Sequence, residues 1–113
     1  MYLENIDVPC QENIIATKKY YASRGIFGVC VTVNDHGNAY SLAHNKEFDW
    51  GYKGALPGNL ARCILADYAG EEVADTYYRD FEENFIACMP RRGFVIPGEA
   101  IREWLEDKVR EAG

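Results

Sequence analysis

Apolar and polar positions along this chain change period several times, and each change predicts a new element. Phe27, Val29, Val31 and Val33 alternate with Gly28, Cys30 and Thr32. A period of two, rich in β-branched residues, predicts a strand. Asn34, Asp35, His36, Gly37 and Asn38 follow as a cluster of turn formers. Gly37 can take positive φ without penalty, and Asn and Asp side chains can bond their own backbone. Residues 39–43 read as the return strand, so residues 27–42 are expected to form a β-hairpin. Upstream, residues 17–23 are aromatic and β-branched and read as a strand, with a short helix as the alternative. Residues 1–16 have no clear period and are expected to form a loosely ordered N-terminal segment.

Beyond residue 58 the period lengthens. Leu60, Ala61, Ile64, Leu65 and Tyr68 recur at helical spacing. Pro57 suits the first turn, where its missing N–H costs nothing, and Gly70 suits the stop. A second helix is predicted over residues 71–89, with Ala74, Tyr77, Tyr78, Phe81, Phe85 and Cys88 forming one apolar stripe. Its opposite face carries Glu72, Asp75, Arg79, Glu82 and Glu83, and Pro90 ends it. Phe94, Val95 and Ile96 predict a short edge or final strand. A last helix over residues 98–111 places Ile101, Trp104, Leu105 and Val109 on one face. Its Arg102–Glu106 and Glu106–Arg110 pairs lie four residues apart and add a few tenths of a kcal/mol each. Strands first and helices after predict an α+β fold: a small antiparallel sheet built on an N-terminal β-hairpin and packed by about three helices.

The chain has 113 residues, enough for one domain over 1–113 with a core that needs no metal or disulfide staple. Its hydrophobic fraction of 48% is too high for disorder. No apolar run reaches the roughly 20 residues of a membrane span, and Met1 to Asp7 do not read as a secretory leader, so a cytoplasmic location is expected. Cys10, Cys30, Cys63 and Cys88 are scattered, without the close-spaced pairs of a zinc site, so no metal or cofactor is expected. Cys30, Cys63 and Cys88 sit within apolar patterns and are expected to be buried. A net charge of −6, with only Lys18-Lys19 and Arg91-Arg92 as adjacent basic pairs, argues against direct nucleic-acid binding. It is compatible with a basic protein partner. The oligomeric state is left open.

The segment Phe48-Asp49-Trp50-Gly51-Tyr52-Lys53-Gly54, followed by Pro57, Leu60 and Ala61, resembles an uncharacterised bacterial and phage family, domain of unknown function 6166. Its hallmark is an aromatic–acidic–Trp-Gly-Tyr–x-Gly segment, then Gly-Pro, then a helix opening with Leu-Ala. Leu56 stands where the family's glycine precedes the proline. Weaker similarity extends from about Tyr21 to Leu105. The resemblance implies a fold and a mobile-element neighbourhood, and with it an accessory or inhibitory role, not an activity.

The loop at residues 50–59 is the foremost candidate site. It places Trp50, Tyr52, Lys53, Gly54 and Asn59 ahead of a helix N-terminus, whose free N–H groups and partial positive charge suit an anion. Trp50 and Tyr52 could stack on a flat ligand, or could plug the gap between sheet and helices. The acidic face bearing Glu72, Asp75 and Glu82 suits a basic groove on a partner, or is simply wet. His36 and His44 have carboxylates near them in sequence, Asp35, Glu47 and Asp49, but sequence proximity is not geometry, and no catalytic set stands out. Two functions are therefore expected in order: a non-enzymatic binding module for a protein partner, then a small-molecule or nucleotide-type anion-binding domain. An enzyme ranks below both.

Overall fold

Two residues, His36 and Gly37, reverse the chain with φ of 57° and 88°. Two consecutive positive φ values make the tight turn whose twist matches a hairpin. The Gly37 N–H donates to Asn34 Oδ1 at 3.1 Å, so the turn formers act as their composition predicts. The turn joins β2 (Gly28–Asp35) to β3 (Asn38–Ser41). These elements come from a computed structural model that describes residues 18–26, 28–42 and 47–112. The expected N-terminal segment, Cys10, Phe27 and His44 lie outside the described residues.

The upstream aromatic stretch is a strand, β1 (Lys19–Gly25), and the late apolar run is β4 (Gly93–Pro97). The four strands form one antiparallel sheet in the order β3-β2-β1-β4. Register explains the core. Val33, Tyr20 and Ile96 are cross-strand neighbours, as are Val31, Ala22 and Phe94, and all six are buried. They cover one face of the sheet. The other face carries Thr32, Tyr21 and Val95, with Tyr21 and Val95 exposed.

Three helices cover the inner face: α1 (Ala55–Ala69), α2 (Glu71–Asn84) and α3 (Gly98–Ala112). The fold class is therefore α+β, as the element order predicts. Leu60, Ala61, Ile64 and Leu65 of α1 are fully buried, the three- and four-residue steps read from the sequence. Gly70 alone separates α1 from α2. Its φ of 101° turns the chain where a side chain would be strained. Phe81, Phe85 and Trp104 tie α2 to α3 through ring contacts, with centroids 4.7–5.9 Å apart.

Two expectations need correction. The second helix does not reach residue 89: it ends at Asn84, and a short 3₁₀ turn, Ile86–Cys88, follows. Phe85 leaves helical geometry with φ −120° and ψ −58°. An unbroken helix would turn Ile86 off the apolar stripe; the break lets it bury completely. The cysteines also differ, since Cys30 and Cys88 are exposed and Cys63 is half-buried. The strand's period of two puts Cys30 on the face opposite Val31 and Val33. Cys88 follows the helix break and no longer shares the stripe of Ala74 and Phe81.

Gly93 carries a steric requirement. A Cβ there would lie 2.6 Å from the Ala22 carbonyl oxygen, inside the β1–β4 ladder. Gly93→Ala should therefore destabilise the fold by about 2 kcal/mol, a forced-overpacking cost. A urea midpoint equal to that of the wild type would contradict this close approach.

Candidate functional site

The loop ahead of α1 is held from several directions. Trp50 is fully buried. Its indole N–H donates to the Pro90 carbonyl at 2.8 Å, and its ring meets Phe94 edge-on at 5.3 Å. The Arg24 guanidinium covers the remaining face, 4.3 Å from the ring centroid. Gly51 N–H donates to Ile86 O at 3.0 Å, and Arg91 Nη1 donates to Trp50 O at 2.6 Å. Of the two open readings for Trp50, the structure selects the plug: no face of the ring is free to stack.

Asp49 organises this loop. It accepts hydrogen bonds from the Arg24 guanidinium, from the Trp50 N–H at 2.9 Å and from the Tyr52 hydroxyl at 3.0 Å. Burial pushes its carboxyl up, but these donors, Arg24 foremost, outweigh burial and hold it at about 2. The Asp49 bond in turn pushes the Tyr52 phenol above its ordinary range. A second carboxylate, Asp67 near the end of α1, plays a similar part against the sheet. It accepts from Tyr20 at 2.7 Å and Tyr40 at 2.9 Å, and Lys18 Nζ lies 3.0 Å away. Burial, then the Asp67 bond, pushes both phenols upward.

These shifts bear on chemistry. A carboxylate held at about 2 is a weak base at neutral pH, and phenols pushed up are weak nucleophiles there. Both clusters act as clamps, Asp49 fixing the loop to β1 and Asp67 fixing α1 to β1 and β3. Among the described residues no group of three or more His, Cys, Asp or Glu could hold a metal ion.

Glu82 departs most from its expected place. The sequence puts it on the acidic face of α2, but it is only 8% exposed. It points across to α1, where its Oε2 accepts from the Gly54 N–H at 2.9 Å. Gly54 is the N-cap of α1 and has no side chain to cap the helix itself. A carboxylate from α2 fills that role and also meets the positive end of the α1 dipole. The chain thus places a carboxylate of its own at this terminus.

Lys53, Gly54 and Asn59 of the loop and Glu82 of the expected acidic face come together in one cleft of about 540 Å³ between α1 and α2. Tyr52 flanks it, and Asn59 Nδ2 donates to Glu47 O at 3.3 Å. Glu72 and Asp75 do not line it. Asp75 is engaged by Arg62 at 2.6 Å, and Glu72 stands exposed on the outer face of α2. As site residues the sequence reading missed Arg24, Asp49, Gly58, Asp67, Tyr78 and Arg79. Of these only Asp49 carried a visible signal, as the acidic position before Trp50.

The Trp50 loop, its Asp49 anchor and the α1 terminus form one built unit. The model of a family of unknown function, DUF6166, matches residues 20–107. The chain belongs to this family. The DUF6166 match covers nearly all of β1 through most of α3, and so includes the carboxylates of both clamps and the cleft. No curated protein and no solved structure shows significant similarity to the chain. No helix among the described residues is long and apolar enough to cross a membrane.

Proposed function

We propose that the protein is a non-enzymatic binding module, a cytoplasmic accessory protein of a phage or mobile element that modulates a host protein complex. It docks on a basic partner surface through the outer face of α2. One observation carries this reading: α2 holds six carboxylates against the single Arg79, a helix balance of −5 in a chain of −6. Glu82 turns inward, so Glu71, Glu72, Asp75, Asp80 and Glu83 make the surface.

Cations from neighbouring elements brace this face without neutralising it. Arg62 reaches Glu71 and Asp75, Lys108 lies 3.5 Å from Asp80, and Lys53 lies 3.9 Å from Glu83. Glu72 has no ion pair among the described residues. Exposed pairs of this kind contribute little to stability, and a basic partner can displace them. Two solvent-exposed thiols, Cys30 and Cys88, fit a reducing cytoplasm.

The test is a triple variant, Glu72→Lys, Asp80→Lys and Glu83→Lys. Glu82 is left alone because it caps α1, and Asp75 because it makes the shortest of these pairs, 2.6 Å from Arg62. A partner captured by the wild type should elute as salt rises, since charge-steered contacts are screened. The variant should lose it while keeping its melting temperature. Undiminished capture by the folded variant would rule out α2 as the docking face.

A further inference from the structure

The cleft between α1 and α2 has a floor and a rim of opposite charge. The floor is Glu82. One of its oxygens caps Gly54, and the other, Oε1, has no hydrogen-bond donor among the described residues. Among the described residues no buried side-chain polar atom lacks a partner, so Oε1 opens into the cleft that Glu82 lines. The rim carries Lys53 and Arg79, both exposed. Arg79 has no ion pair among the described residues; its guanidinium lies 5.5 Å from the Tyr78 ring centroid. Arg79 and Glu82 are three residues apart on α2, so they stand on the same helix face.

Gly58 supplies an independent observation. It sits inside α1, where glycine weakens a helix relative to alanine. Packing does not demand it. A Cβ would lie 3.6 Å from Glu82 Oε1 and 3.9 Å from Tyr78, both ordinary contacts. The missing methyl leaves open the space in front of the carboxylate oxygen.

We infer that this cleft binds a small zwitterion of the amino-acid type, with its ammonium group on Glu82 Oε1 and its carboxylate on Arg79 and Lys53. A simple anion would face Glu82, and a simple cation would face Arg79 and Lys53. A dipolar ligand satisfies both ends. This site borders the outer face of α2, since Lys53 also lies 3.9 Å from Glu83, but its occupancy does not depend on the docking proposal.

The experiment follows backbone amide signals by NMR during titration with glycine, β-alanine and γ-aminobutyrate at millimolar concentration, a series that varies the charge spacing. Acetate and ethylammonium serve as single-charge controls. At least one zwitterion should move the Gly54 and Gly58 amides saturably, with neither control doing so. Gly58→Ala should abolish the effect while melting above the wild type, because its methyl takes the space in front of Glu82 Oε1 and favours the helix. Glu82→Gln, which keeps an acceptor for Gly54 but removes the charge, should also abolish it. The inference fails if no zwitterion moves these amides or if one control ion moves them as far. It fails equally if binding survives in either variant.

Discussion

Trp50→Ala should lower folding stability by about 3–5 kcal/mol, the usual cost of truncating a large buried aromatic ring. The ring is fully buried and is held on three sides by Phe94, Arg24 and the Pro90 carbonyl. Truncation removes the edge-to-face contact, leaves the Pro90 oxygen with the Gly93 N–H as its remaining donor and opens a cavity between β4 and the loop. It also removes the surface over which Arg24 lies. Urea denaturation should show a large drop in midpoint with an unchanged slope. A shift below 1 kcal/mol, on the order of an exposed-site substitution, would mean that the ring is not part of the core.

Asp49→Ala should lower stability by about 2–3 kcal/mol, because it strands charged and hydrogen-bonding partners at a largely buried site. Arg24 loses its carboxylate and keeps the Arg91 carbonyl, the Trp50 N–H loses its acceptor, and the Tyr52 hydroxyl is released. The same interaction sets an acid dependence. The folded carboxyl is held at about 2 against an ordinary 3.8. Its charge therefore stabilises the fold fully above 3.8, and that contribution is lost as pH falls toward 2. The wild type should lose stability over this acid window more steeply than Asp49→Ala. Parallel curves for the two proteins would show that Asp49 has no special part in it.

The fold was legible where local chemistry and tertiary need agree. The strand β2 and its turn follow from period two and from Asn34 and Gly37. The helix α1 follows from Leu60, Ala61, Ile64 and Leu65. The break at Phe85 was not legible, because no glycine or proline marks it; Ile86 reaches the core only by leaving the helix. The burial of Cys30 was misjudged because periodicity shows two faces without saying which one the helices cover. At the site, Lys53, Gly54 and Asn59 were found because they are adjacent in sequence. Glu82 was assigned to the wet face because helical spacing cannot reveal that Gly54, 28 residues upstream, lacks a cap. Arg24 and Asp67 act across 25 and 47 residues, with Asp49 and Tyr20 respectively, and no local pattern joins them.

The direct test of docking through α2 is an amide-resolved NMR footprint of the captured partner on the protein. Signals of Glu72, Thr76, Asp80 and Glu83 should shift or broaden, and those of β1 and β4 should not. A footprint centred on Tyr21 and Val95, on the open face of the sheet, would contradict the account.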